Sequence, residues 1–426
     1  MKSIRSKLSV ATCVLLSSAV SNETQARGDS TWEGSASALL YVEEGRVTVN
    51  EDVIALRKEI DDDEFISGKF IFDVMSGPSP NGASESSKPQ TMTTPSGQQV
   101  IIASDVLPTY DFLDTRYAML LDWEKPLSRI LRATSSMSLS VEYDYLSVGL
   151  SSVWSYDLNN KLTTLTSGLA LTYDQVSPVG GVPEELEVMG TDSVLSKDNK
   201  KTLDWMFGAS QIINRTSIFQ INYTLGLTKG YLTDPYKLIT VVDDQSLEAE
   251  TTNPYFHEKR PNKRLSHIVY LKYIKDFSGQ VLRSSYRYFR DDWQIQSHTL
   301  DVKYSFPLRE SDELQFHVRF YDQSAASFYH YYFVDRTSDP SINPNDVIDE
   351  NVSNIENLND FVTYASADYR LGNLQTFTVG AKYSTRLNFY EGKIDLRLDH
   401  LRQKDKENQF PELRAWVLQA VFSFVY

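Results

Sequence analysis

Apolar and polar side chains alternate along most of this chain, and the alternation changes phase about once per strand length. Residues 415–426 show it most plainly. Trp416, Leu418, Ala420, Phe422, Phe424 and Tyr426 share one parity, while Gln419 and Ser423 sit among valines on the other. Successive side chains of a strand point to opposite faces, so this row is one wholly apolar face. Similar rows are Tyr117/Met119/Leu121/Trp123, His298/Leu300/Val302/Tyr304/Phe306, Leu314/Phe316/Val318/Phe320, Phe377/Val379/Ala381/Tyr383 and Ile394/Leu396/Leu398. The opposite parity carries Arg116, Asp122, Arg283, Arg287, Asp301, Lys303, Glu313, His317, Arg319, Lys382, Asp395, Arg397 and Asp399.

Over residues 135–145 the odd positions include Met137, Leu139, Val141, Tyr143 and Tyr145, and the even ones end on Glu142 and Asp144. The apolar set then moves to Val148, Leu150 and Trp154, which places a hairpin at 146–149 and puts Glu142 and Asp144 on the polar face.

Alternation also fits a soluble sandwich; connection lengths discriminate better. Short links at 61–64, 127–130, 213–215, 277–279 and 371–373 alternate with long ones at 77–108, 177–200, 229–264 and 335–360. Short turns on one rim and long loops on the other are the habit of membrane barrels. The aromatic runs 286–289 and 328–333 fit interfacial girdles. The expectation is an all-β, antiparallel up-and-down transmembrane barrel of about sixteen strands, within about fourteen to eighteen and even in number. Residues 313–333 read as one long strand or as a hairpin around 323–326.

Lys2, Arg5 and Lys7 precede an apolar stretch from Leu8 to Val20, with small residues after it, as in a secretory signal peptide. Cleavage fits after Ser21 or Ala26, giving a leader of 1–26 and a barrel of 27–426. The chain's single cysteine, Cys13, falls inside the leader, in a context unlike a lipidation site, so the mature part has no thiol chemistry. The net charge of −15 disfavours nucleic acid as a partner. An exported barrel meets outer-membrane lipid, lipopolysaccharide and the barrel-assembly machinery. Phe422, Phe424 and Tyr426 form the expected assembly signal.

The stretches at 38–49 (ALLYVEEGRVTV), 72–83 (FDVMSGPSPNGA), 114–123 (DTRYAMLLDW) and 140–169 resemble a family of Gram-negative outer-membrane proteins without an assigned activity. The resemblance runs from about residue 36 to Tyr426 and implies an exported β-barrel. It also implies gene neighbours encoding a thioredoxin-like protein and a flavin transferase, hence a periplasmic redox or cofactor partner, with no role attached to any residue.

Motifs for catalysis are weak. Gly28-Asp29-Ser30-Thr31 looks like the nucleophile block of GDSL esterases, but none of the six histidines has an aspartate three residues before it. The histidines show no metal-ligand spacing, and no cofactor motif is present. Asp339, Ser341, Asn343 and Asn345, followed by Asp346, Asp349 and Glu350, mimic half a calcium loop, with Pro344 where an EF-hand needs glycine. Charges of both signs on the polar face argue against a pore strongly selective for one ion. The function favoured is a non-enzymatic channel or transporter for small polar solutes. The alternative is a poorly conducting anchor or assembly partner for a periplasmic redox or cofactor system, with a barrel-embedded hydrolase last.

Overall fold

A computed structural model gives the fold. It describes residues 32–426 apart from 87, 94–98, 190–194, 244–253, 336–343, 349–356 and 388–390. The leader and the 28–31 block lie outside the described residues. In chain order the strands are β1 (Trp32–Glu43), β2 (Thr48–Asp61), β3 (Glu64–Pro80), β4 (Gln90–Thr93), β5 (Gln99–Ile102), β6 (Thr109–Ser128), β7 (Leu131–Val141), β8 (Tyr145–Leu158), β9 (Thr163–Val176), β10 (Asp198–Asn214) and β11 (Ser217–Gly230). There follow β12 (Leu238–Asp243), β13 (Tyr255–His257), β14 (Lys263–Phe277), β15 (Gln280–Asp291), β16 (Gln296–Pro307), β17 (Asp312–Gln323), β18 (Phe333–Asp335), β19 (Val347–Ile348), β20 (Leu374–Arg386), β21 (Lys393–Asp405) and β22 (Leu413–Val425).

Sixteen of these close into one antiparallel barrel, and β4, β5, β12, β13, β18 and β19 belong to its loops. The seam joins β1 to β22, with Gly34 opposite Phe424. A Cβ at position 34 would run into the Phe424 ring, so glycine lets that ring lie flat across the closing strand. The backbones of Trp32 and Tyr426 exchange two hydrogen bonds of 2.8 Å, which seals the edge that lipid could not satisfy.

The exposed large side chains follow the parity of the apolar rows: Met119, Leu121 and Trp123 on β6, Leu150 and Trp154 on β8, Phe316 and Val318 on β17, Trp416 and Leu418 on β22. That outer wall is the belt a transmembrane barrel presents to hydrocarbon.

Three expectations are corrected. The first hairpin turns at residues 142–144, four residues early. Tyr143 stands at its tip, 84% exposed, and Tyr145 already begins β8. Tyr145 continues the apolar row in sequence but points inward, with the Lys200 ammonium 4.6 Å from its ring centre. A tyrosine suits either face because one end is apolar and the other polar. Residues 371–373 are no turn. They end a single connection that runs from Gln323 to Leu374, and Leu371 is fully buried. The 328–333 run is not a girdle: Phe328 meets Trp293 edge-on at 5.1 Å, and Phe333 is wholly buried among loop residues.

Candidate functional site

Two structures enclose the space inside the wall: the inward face of the barrel and a cap built from the long loops. On the wall, β16, β17 and β21 meet at His317. Its Nε2 lies 2.8 Å from Asp301 Oδ2 and its Nδ1 3.3 Å from Asp399 Oδ1. Arg397 grips Asp399 at 2.6 Å, and Lys303 lies 3.6 Å from Asp301. β20 passes between His317 and Asp399, and Gly380 makes the link possible, because a Cβ there would collide with the Asp399 carboxylate. Both imidazole nitrogens thus face carboxylates, which makes His317 a tie between strands and leaves no nitrogen to activate a nucleophile. Nearer the short-turn rim, Asp395 accepts from Ser384 and lies 3.6 Å from Lys382 and 3.1 Å from Lys393. Glu313 sits at the start of β17, close enough to Lys382 to act on its charge.

Across the lumen, Arg116 holds Asp73 through two nitrogens at 2.9 and 2.5 Å, with Glu51 at 3.9 Å. Asp122 lies among Ser67 and Ser136. Glu142 and Asp144 occupy the turn rather than a strand. Glu142 lies within electrostatic reach of Arg116, and Asp144 accepts the Tyr236 hydroxyl at 2.6 Å. Arg283 donates to Ser305 at 3.2 Å. Among the described residues, Arg283, Arg287 and Arg319 make no ion pair.

The cap joins loops from opposite sides of the mouth. Residues 81–84, after β3, bond to Leu238 and Thr240, after β11. The Leu186 carbonyl, after β9, accepts from the Leu358 N–H, after β17, and Arg46, after β1, stacks on Tyr369 and Phe410. Leu186, Ile239, Val241, Phe256, Phe333, Ile348 and Leu358 form its apolar core.

The same loops hold Asp234, Lys237, Glu258, Arg260 and Asp368, all buried, and Arg370, which keeps 14% of its side-chain surface exposed. Arg370 reaches Asp234 at 2.9 Å and Asp368 at 2.5 Å; Arg260 reaches Glu258 at 2.6 Å and Asp368 at 2.9 Å. Lys237 donates to the Pro80 carbonyl. Burial works to raise the Asp368 carboxyl, but Arg370 and Arg260 outweigh it and hold the group well below the usual carboxylate range. Burial alone lowers His257, on β13, to about 4.

Between the loops near β15 and β17, a cleft of about 770 Å³ is lined by Trp293, Phe328, Tyr329 and Tyr331 with Asp346 and Glu407. Asp346 accepts from His330 at 2.6 Å. The other candidate calcium positions, Asp339, Ser341, Asn343, Asp349 and Glu350, lie outside the described residues. Among the described residues no group of three or more His, Cys, Asp or Glu side chains could hold a metal.

Residues 5–421 match the family described as "Protein of unknown function (DUF3570)". The chain belongs to this family. No curated protein matches it. Among solved structures, a bacterial polysaccharide outer membrane secretin is similar at 9% identity and a TM-score of 0.44, over 94% of this chain and 100% of that one. OccK3 (OpdO) from Pseudomonas aeruginosa is similar at 6% and 0.40, over 93% and 96%. The siderophore receptor PirA from the same organism is similar at 6% and 0.40, over 89% of this chain and 57% of the receptor, so this chain spans little more than half of that receptor's length.

For this DUF3570 member, sequence reasoning missed the cap's charges, because loops give no periodicity from which to read burial. The signal available was loop length, since connections this long seldom stay unstructured in a compact fold. Lys272 was missed too: its neighbours of like parity, Tyr270 and Ile274, are apolar and hide which face of β14 is inward.

Proposed function

We propose that this protein is a non-enzymatic outer-membrane conduit for small polar solutes, open toward the periplasm and closed on the outside by its loop cap. The orientation follows from the rims: short turns and both chain ends face the periplasm in such barrels, and long loops face outward. The observation that carries the reading is the half-solvated charge on the wall. Asp301, Lys303, Lys382, Asp395 and Arg397 keep 23%, 34%, 25%, 19% and 32% of their side-chain surface exposed inside a sixteen-stranded barrel. A wall of that size holds water unless something fills it. Lipid and lipopolysaccharide surround the belt, and Phe422, Phe424 and Tyr426 address the chain to the assembly machinery.

The test is planar-bilayer conductance of the purified barrel, as wild type and with the cap loosened by Arg370→Met. Brief or rare openings in wild type and sustained ones in the variant support the conduit. Silence in both overturns it and leaves the second reading, a periplasm-facing anchor for a redox or cofactor partner. Closure of the outer mouth, which leaves the interior reachable from the periplasmic side, favours that alternative.

A further inference from the structure

The charges inside the barrel are segregated by strand. The inward positions of β14–β17 hold Lys272, Arg283, Arg287, Lys303 and Arg319. Arg283 and Lys303 are direct cross-strand partners, an arrangement that is unfavourable unless something compensates it. Lys272 lies close enough to Arg283 and Lys303 to feel both charges, and Arg287 likewise feels Arg319 and Arg264. Four carboxylates share these inward positions. Asp291 is held by Arg264, Asp276 lies at the short-turn end of β14, and Glu313 sits at the start of β17. Asp301 is engaged by His317 and Lys303 and stands opposite Arg319, without an ion pair to it.

The facing half has the opposite balance. Glu51, Asp73, Asp122, Glu124 and Asp204 point inward from β2, β3, β6 and β10, against Arg57, Lys69, Arg116 and Lys200, of which Arg57, Arg116 and Lys200 are held in ion pairs. Mixed signs in the sequence are therefore partly separated by strand in space.

The six charges in the cap balance sign for sign, and Asp399, Asp395 and Asp73 each hold a cation. Lys272, Arg283, Arg287 and Arg319 make no ion pair among the described residues. Crowded guanidinium groups of one sign repel in a wall of reduced dielectric, and an oxyanion bridging two of them relieves that. We infer that the β14–β17 wall is a binding site for small solutes bearing carboxylate or phosphate groups, with Arg283, Arg287 and Arg319 as its principal contacts. This names the solute class of the conduit proposed above and rests on its lumen being the working compartment.

The test is chlorine-35 NMR on the whole protein in detergent, with inorganic phosphate and then succinate as competitors. Wild type should broaden the chloride line, and millimolar phosphate or succinate should reverse it. The variant Arg283→Gln/Arg287→Gln/Arg319→Gln should fall to the level of empty micelles, while the single lysine variant Arg287→Lys should retain most of the effect. Equal broadening in wild type and the triple variant, or broadening that neither competitor reverses, overturns the site. If the triple variant does not fold, judged by its heat-modifiable gel mobility, the single variants Arg283→Gln and Arg319→Gln are read in its place, with the same criteria.

A reversal potential across a potassium chloride gradient separates the two proposals. Displaceable binding without current defeats the conduit and keeps the site. Cation-selective current without displaceable binding defeats the site and keeps the conduit.

Discussion

Arg370→Met tests the cap most directly. In the native cap this guanidinium donates through Nε and Nη2 to Asp368 and through Nη2 to Asp234, inside a cluster of three carboxylates and three cations. Removing it leaves Asp234, Glu258 and Asp368 facing only Lys237 and Arg260, with one buried negative charge uncompensated. Breaking a buried pair from one side costs about 3–5 kcal/mol. At about 1.4 kcal/mol per factor of ten, that raises the open population of the cap by roughly two to three and a half orders of magnitude. The barrel should hold, because its ladders do not depend on the cluster. Hydrogen exchange followed by mass spectrometry should show deprotection confined to residues 231–243, 254–262 and 357–373, with β14–β22 wall peptides unchanged. Arg370→Met/Asp368→Leu, which removes a charge of each sign, should recover a large part of the loss. Unchanged protection in the single variant, or uniform loss across wall and cap alike, would refute the argument.

Four further outcomes follow from the same geometry. Gly380→Ala should push the Asp399 carboxylate away from His317 and lower barrel stability by about 1–3 kcal/mol, read from the midpoint of unfolding in urea. Leu150→Arg, on the lipid face of β8, should cost about 2–4 kcal/mol in the same assay, whereas Ser151→Arg on the inward face should cost less; the reverse order would invert the register. Deletion of Phe424–Tyr426 should abolish the heat-modifiable form in outer-membrane fractions, because it removes both the Gly34 seam and the terminal ring. For His257 the folded value lies near 4, below the unfolded value of about 6.5, so the unfolded loop binds the proton first and cap stability falls as pH drops from about 6.5 toward 4. Loop proteolysis should therefore accelerate from pH 7 toward pH 4 more in wild type than in His257→Gln, so that the difference between them grows as the pH falls.

The parts that could be read from sequence are those where one face meets a uniform medium. Lipid imposes a single rule on every outward position, so Met119, Leu121, Phe316, Val318, Trp416 and Leu418 announce the wall and its strand count. The lumen imposes no such rule. Ser, Thr, Tyr, Lys and Ile all occur there, and Tyr145 or Ile274 can pass for an outward residue. The first hairpin was misplaced for that reason: a three-residue turn kept the apolar parity running through Tyr143 and Tyr145 while the chain itself reversed. The loops were legible only as lengths. Phe328 and Phe333 looked like girdle aromatics, since composition does not distinguish a ring lodged among other loops from one at the headgroup level.

Pairing adds what alternation cannot. A charge on an inward strand position is equally polar in sequence whether it is neutralised by a neighbour or left to the solvent, yet the two have opposite consequences. Asp399, with Arg397 at 2.6 Å and His317 at 3.3 Å, spends its charge on joining three strands, and replacing it should disturb the wall before it disturbs any solute. Arg287 stands opposite Tyr270 and Thr299, makes no ion pair among the described residues and feels the like charges of Arg319 and Arg264, so its charge adds little to the fold. The two sets therefore make opposite predictions for stability. Neutralising Asp399 should lower the unfolding midpoint, and Arg287→Gln should leave it unchanged or raise it. If Arg287→Gln instead destabilised the barrel as Asp399→Asn does, the β14–β17 cations would be structural, and the division of the lumen into a braced side and a binding side would fall.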